Sequence, residues 1–357
     1  MNKLNSILTV ALLAITFTAC KKDEDSVIVV PPSGGSMLTL EGKTVVSAYA
    51  NVVYVDLSAD KQTPVDRKSW ALGFYSGADF KVVLNHSFQA LAVVVNKNDM
   101  NAVTLDDAKA SLVYNINLLS PILTNAISLV DYYDGSLSRT AIASVSATDA
   151  ENKVYILGLN GIYTQPNLYK IRVLRNGINS YALQYAKVEE TIFKTVTIAK
   201  NVDYNLTLVS FGNNNDGVMV KAEPKKIEWD FQWNYGTFKS DPTNIESNPY
   251  WYQDMITINN LAGVQAVEVK TSTVSYAAFS EANLAGLVFS SARDAIGSKW
   301  RISPGMAGVG GGVNTNVFYL VKDSSGNVYK LKFNSYITGD GGERGRPVIE
   351  YKLVKKG

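Results

Sequence analysis

The feature that most constrains this chain is a pattern that occurs twice. After Trp70 the sequence reads Ala-Leu-Gly-Phe74-Tyr-Ser-Gly77, and after Trp229 it reads Asp-Phe-Gln-Trp233-Asn-Tyr-Gly236. Each gives Trp, an aromatic four residues on and Gly seven residues on. Asn167-Leu-Tyr169-Lys170-Ile171-Arg172-Val173 then matches Asn327-Val-Tyr329-Lys330-Leu331-Lys332-Phe333. The interval from Trp70 to Tyr169 is 99 residues and that from Trp229 to Tyr329 is 100. Each half closes on a similar segment, Leu183-Gln184-Tyr185 and Ile349-Glu350-Tyr351, and Ala92–Val95 parallels Ala266–Val269. Markers in one order at one spacing imply a tandem duplication, so one small fold must serve both halves. The expected parts are 37–200 and 201–357.

The local patterns are those of strands. Tyr, Val, Thr and Ile runs alternate with turn clusters such as Asn213-Asn214-Asn215-Asp216-Gly217 and Asp323-Ser324-Ser325-Gly326. Tyr-Lys-Ile-Arg-Val and Tyr-Lys-Leu-Lys-Phe put apolar residues on one face and basic ones on the other, as half-solvated antiparallel strands require. Val317–Val321 is joined to the second of these by a Gly-containing turn, which predicts a hairpin. Helical patterns are confined to Leu105–Leu112 and Phe279–Gly286, each behind a polar residue fit to cap it. The fold class expected is therefore α+β, predominantly antiparallel β, with few short helices in two β-rich domains. Trp70 and Trp229 are expected to anchor the two cores.

The N-terminus runs from Met1-Asn2-Lys3 through an apolar stretch, Ile7 to Phe17, to Thr18-Ala19-Cys20. That is a secretory signal rather than a spanning helix, which needs about 20 apolar residues. Cys20, the only cysteine, stands where lipoprotein signals place the acylated thiol, although Phe17 is less usual than Leu at the start of that motif. Residues 1–19 read as the signal and 20–36 as a tether, with Lys21-Lys22-Asp23-Glu24-Asp25 followed by a Pro-, Gly- and Ser-rich spacer. A lipid on Cys20 would anchor the chain to a membrane without a transmembrane helix and leave no disulfide to form.

Several kinds of chemistry find no support. Lys and Arg number 34 against 32 Asp and Glu, a net charge of +2, and no basic stripe or nucleic-acid motif is present. A single histidine, His86, allows neither a multi-histidine metal site nor a supported Ser-His-Asp set, and Gly-x-Ser-x-Gly is missing. The carboxylate pairs Asp106-Asp107, Asp131 with Asp134, and Glu189-Glu190 have no spacing that selects them for acid–base work. Gly308–Gly312 lacks the Lys-Ser or Lys-Thr ending of a phosphate loop and reads as a wide-turning loop over a cleft. Asp323–Gly326 resembles half a calcium loop, and a hairpin turn accounts for it without the missing Glu. Tyr250-Trp251-Tyr252 reads either as a strand entering the core or as exposed aromatics that meet a glycan or a surface protein. No enzymatic activity is expected.

Trp229-Asp230-Phe231, Ala295–Arg301, the run Phe318–Phe333 and Gly342-Glu343-Arg344-Gly345-Arg346-Pro347 together resemble the HmuY-like haem-binding surface lipoproteins. The likeness covers the second half and, more loosely, the first. It implies haem as the ligand, held between β-layers by two axial His or two axial Met, a place at the outer membrane facing the cell exterior, and delivery to an outer-membrane haem transporter. One family ligand falls in the loop Ser303–Gly312, where Met306 is the candidate. The other falls between Lys270 and Ala278, which has no His and no Met; Tyr276 is the candidate there. His86 could join only if the halves face each other. The resemblance thus implies surface capture of haem or a related flat apolar ligand. The alternative is an interaction protein for a glycan or surface protein on the same scaffold.

Overall fold

The computed structural model describes residues 31–111, 127–161, 168–212, 216–241, 243–304 and 310–357. The signal segment, Cys20 and most of the tether lie outside these residues, as does Met306. Pro32–Gly357 forms one compact unit. Its first strands are β1 (Gly35–Thr39), β2 (Asn51–Asp56), β3 (Lys61–Asp66), β4 (Leu72–Tyr75), β5 (Val82–Leu84) and β6 (Leu91–Val95). A single α-helix among the described residues, α1 (Leu105–Ser111), precedes β7 (Val154–Gly158), β8 (Leu168–Arg175), β9 (Ser180–Lys187), β10 (Lys194–Ala199), β11 (Leu206–Ser210) and β12 (Val218–Val220). Then come β13 (Phe231–Lys239), β14 (Pro249–Ile258), β15 (Gln265–Lys270), β16 (Arg301–Ile302), β17 (Gly312–Val313), β18 (Val317–Lys322), β19 (Val328–Ser335) and β20 (Val348–Lys355).

The expected β-rich class is what the chain adopts. Helix α1 starts where expected, with Thr104 N–H and hydroxyl both donating to Asp107 at the first turn. The second expected helix shrinks to a 3-10 turn, Glu281–Leu284. The β18–β19 hairpin forms, and Asp323 explains its turn: one carboxylate oxygen accepts from the N–H groups of Ser325 and Asn327, the other from the Asn327 amide. Those hydrogen bonds account for the Asp323–Gly326 motif as turn chemistry.

Among the described residues every strand pairing is antiparallel, and the order of pairings occurs twice. Strand β4 meets β11 with Phe74 opposite Thr207, and β13 meets β2 with Trp233 opposite Val53. Leu72 faces Leu84 as Phe231 faces Ile258. Ile171 faces Tyr185 as Leu331 faces Tyr351, and Leu183 faces Val196 as Ile349 faces Leu38. The leading strands are crossed over. β1–β3 pair with β20 and β13, beyond residue 200, whereas β10–β12 pair back onto β9 and β4. Strands from both sides of residue 200 therefore share three of the sheets.

Alternation along these strands builds the cores. Leu72, Phe74, Val82, Leu157, Ile171 and Leu183 meet in one, and Val53, Phe231, Trp233, Ile256, Leu331 and Tyr351 in the other. A third cluster joins the halves, with Val93, Val95 and Ile156 against Phe238 and Met255. The expectation for the two tryptophans needs correction. Phe74 and Trp233, the aromatics four residues on, are fully buried, while Trp70 is only partly buried against Leu206, Leu208 and Ala222, and Trp229 packs in a small cluster with Val52 and Tyr54. Both tryptophans precede their strands, so they cover the leading hairpins rather than fill the cores.

Two buried asparagines fix each tryptophan's approach to its strand. The Asn85 amide donates to the carbonyls of Arg67 (3.0 Å) and Trp70 (2.8 Å), and the Asn259 amide donates to those of Lys226 and Trp229, both at 2.9 Å. Replacing either by Ala removes the donor of two part-buried or buried hydrogen bonds, so Asn85→Ala and Asn259→Ala are each expected to cost about 1–3 kcal/mol in urea unfolding. A loss of a few tenths would show that the carbonyls find other donors.

Dividing the chain by its sheets gives a continuous first unit from residue 67 to 223. We expect this fragment to give a dispersed amide spectrum by NMR. A fragment of residues 37–200 lacks β11 and leaves the edge of β4 open, so it is expected to be collapsed or aggregated. The reverse result would favour a division near residue 200.

Candidate functional site

Strands β13 and β14 lose register between Asn234 and Gly236: Asn234 faces Met255 and Gly236 faces Tyr252, so Tyr235 alone opposes Gln253 and Asp254. This is a β-bulge, and Asp254 takes up the extra length with a left-handed backbone, φ 56°. A non-glycine residue held there is strained, and strain of this kind gathers at sites. Beside the bulge, Trp300 is stacked on Phe333 (4.1 Å between centroids) and its indole N–H donates to the Asp254 carbonyl at 3.0 Å. With Trp300 locked in the core, Arg301 is turned the other way, toward Asp254.

The result is a cleft of about 410 Å³ lined by Tyr235, Ser240, Tyr250, Trp251, Tyr252, Gln253, Asp254, Arg301, Ser303, Pro304 and Arg344. One wall is the aromatic edge strand β14. The floor is polar. Tyr49 donates its hydroxyl proton to Asp254 Oδ2 (3.0 Å) and accepts from Arg344 Nη1 (2.9 Å). Arg344 Nη1 also reaches Gln253 Oε1 at 2.9 Å, and Arg301 Nη2 donates to the Gln253 carbonyl at 2.5 Å. Arg301 Nε stays 3.9 Å from Asp254 Oδ2, too far for a hydrogen bond. Arg301 Nε and Asp254 Oδ1 are both buried with no hydrogen-bond partner. Burial raises the Asp254 carboxyl above the usual range, although Arg301, Tyr49, Arg344 and Trp233 pull the other way.

The stem of the Ser303–Gly312 loop closes this cleft. β16 pairs with β17 through Arg301 opposite Val313 and Ile302 opposite Gly312. Gly311, at φ 86°, sits so close to Pro304 that a Cβ would lie 2.6 Å from its nitrogen, so only glycine fits there. The loop carrying Met306 thus springs from the cleft wall, and Ser303 and Pro304 already line it.

The other two expected ligands lie elsewhere. Tyr276 packs against Phe318 and Phe279 in a cluster on the face of β15, β18 and β19 opposite the second core. Its ring lies beneath the Lys330 and Lys332 ammonium groups, its hydroxyl is 3.4 Å from the carbonyls of Lys330 and Glu350, and burial pushes its phenol further from ionisation. It does not line the cleft. His86 opens a 3-10 turn (His86–Phe88) and lines a separate cavity of about 80 Å³ between the halves. Gly236 makes room for its imidazole, because a Cβ there would lie 2.2 Å from Nδ1. A space that size has no room for a porphyrin. Burial, with the Arg293 guanidinium nearby, holds His86 well below the usual imidazole range.

The carboxylates read as unselected have structural partners. Asp107 holds Lys97 at 2.8 Å, Asp131 accepts from the N–H groups of Leu84 and Ala141, and Glu190 accepts from the Lys187 N–H. Among the described residues no three His, Cys, Asp or Glu side chains come together to hold a metal ion. Sequence reasoning missed Tyr49, Tyr235 and Asp254, and it quoted Arg301 and Arg344 only as family markers. The aromatic trio Tyr250-Trp251-Tyr252 was the signal that could have located the cleft. A larger groove of about 520 Å³ lies along β11 and β12, with Val202 and Met219 exposed in its walls. It lacks the buried, unpartnered donor and acceptor that mark the cleft.

The HmuY protein family matches residues 48–351 in one span that crosses both halves. The chain belongs to the HmuY family. No curated protein and no solved structure matches it. Membership fits a surface-associated haem-binding protein, and no helix among the described residues is long and apolar enough to cross a membrane.

The small cavity between the halves makes a pH prediction. Glu223 lines it, and burial raises its carboxyl to about 8 against hydrogen bonds from the Leu206 and Asn205 N–H groups. Between the ordinary value of 4.5 and about 8 the folded chain keeps a proton that the unfolded chain has lost. Stability therefore falls as pH rises through that window and levels off above it. Glu223→Gln should flatten this slope in urea titrations at pH 5, 6.5 and 8; an unchanged slope would mean the carboxyl ionises freely.

Proposed function

We propose that this chain is a non-enzymatic surface lipoprotein, lipid-anchored through Cys20 in the outer membrane, that captures haem or a related flat apolar ligand in the β14 cleft. The observation that carries this reading is the gathering of Tyr235, Tyr250, Trp251 and Tyr252 with Arg301 and Arg344 at the stem of the Met306 loop. Aromatic faces suit a flat ring, and guanidinium groups suit the carboxylates at its edge. Met306 would supply one axial ligand. Tyr276 and His86 do not border the cleft, so the site is five-coordinate or takes a mixed second ligand. When bound, haem would bring its own iron chemistry, and the chain's part is to hold and orient it.

Family membership supports the haem reading over its rival. The rival, a glycan or surface protein on the same rim, is favoured by one observation: the Tyr250-Trp251-Tyr252 wall stands over a polar floor. Haem titration of the chain from Lys21 onward separates them. We expect a saturable one-to-one Soret shift, a changed spectrum in Met306→Ala, and affinity reduced about tenfold or more in the double variant Arg301→Met, Arg344→Met. No Soret shift under oxidising or reducing conditions would sink the haem reading and leave the rival.

A further inference from the structure

Among the described residues, Asp254 and Arg301 bring a buried unpartnered acceptor and a buried unpartnered donor to the same cleft. Asp254 is 1% exposed and the Arg301 side chain 6%, yet Oδ1 of the one and Nε–H of the other have no partner. A buried acceptor and a buried donor left unmade each carry a desolvation cost, and a ligand that supplies both partners removes it. A ligand carboxylate answers only the guanidinium; its lone pairs would meet those of Asp254. A carboxyl pair that shares one proton answers both. We propose that Asp254 is the ligand-carboxyl receptor of this cleft, binding one edge carboxylate of the ligand through a single shared proton while Arg301 Nε–H donates to the same group. The inference rests on the haem reading and says how its propionates are recognised: binding takes up one proton from solvent, and no covalent bond changes.

The surroundings fit this role. Tyr49 donates its hydroxyl proton to Asp254 Oδ2, which leaves the buried Oδ1 without a hydrogen bond, and Arg344 Nη1 donates to the Tyr49 oxygen at 2.9 Å. The charged and titratable groups around Asp254 are Arg301, Arg344 and Tyr49, with Tyr336 behind them donating to the Ile302 carbonyl. The Trp233 indole N–H acts on the same carboxyl without reaching hydrogen-bond geometry. Burial raises the Asp254 carboxyl above the usual carboxylate range, which lowers the cost of the proton taken up when the ligand carboxylate arrives. The left-handed backbone restricts what can stand here, and Asn is among the few residues that tolerate it, which makes Asp254→Asn a conservative probe.

The test is haem titration calorimetry of the chain from Lys21 onward at pH 6, 7 and 8, in buffers of different ionisation enthalpy, with haem dimethyl ester as the carboxylate-free probe. The expected result is uptake of one proton per haem and an affinity that falls about tenfold per pH unit above neutrality. In Asp254→Asn the uptake should vanish and the affinity become flat with pH, with unchanged thermal unfolding showing that the fold is intact. The dimethyl ester should bind without proton uptake. Equal proton counts in the parent and Asp254→Asn, or uptake with the ester, would overturn the assignment while leaving haem capture standing. Failure of the parent chain to bind haem at any pH would end the haem reading, and this inference with it.

Discussion

The pairing of β2 with β13, and its counterpart β11 with β4, is the constraint on which the rest of the molecule depends. A strand edge left open exposes a row of unpaired N–H and C=O groups, and neither half has a neighbour of its own for these edges. Each is closed by the leading hairpin of the other. The described residues up to the end of β3 are thereby bound into the second half, where Leu38 faces Ile349 and Val53 faces Trp233. The hinge of this arrangement is held by the buried amides of Asn85 and Asn259, which tie the segment after each hairpin to the end of β5 and of β14.

The exchange also completes the cleft. Tyr49 belongs to the segment leading into β2, some 200 residues before Asp254, yet it joins Asp254 to Arg344 and stacks on Trp233 at 5.7 Å. Gly42, in the same segment, lies against the Trp233 ring, where a Cβ would be 1.9 Å from Cζ3. If these residues were not carried across, the floor would lose its bridge between the two guanidinium groups and the carboxylate. The polar floor of the cleft is thus built partly from the segment before β2, and the strand pairing that stabilises the fold is what positions it.

Much of this was legible in the sequence, and the failures have physical causes. The Trp, Gly and Tyr-Lys markers, the β18–β19 hairpin and helix α1 rest on local patterns of period and turn chemistry, which a sequence carries directly. The exchange of leading hairpins left no such trace, because either hairpin offers the same alternation to either partner sheet. Asn85 and Asn259 escaped notice for a simpler reason. One follows its tryptophan by 15 residues and the other by 30, since β13 and β14 are longer than β4 and β5. Asp254 looked like any strand residue. Its importance comes from a register shift against Tyr235, which is a property of two strands together and not of either alone.

The two halves differ at one matching position of their paired strands. Leu84 and Ile258 occupy matching places, opposite Leu72 and Phe231, and four residues before each stand Phe80 and Asp254. Phe80 is buried in the first core, edge-on to Tyr181 at 4.9 Å, and needs nothing from a ligand. Asp254 is equally enclosed but carries an acceptor that its own chain does not satisfy. Filling this position with an aromatic ring stabilises the first half by packing; placing a carboxylate there in the second half gives up that packing and is tolerable only beside Arg301, Arg344 and Tyr49. One position thus holds a core ring in the first half and the floor of a cleft in the second, within the same order of sheet pairings.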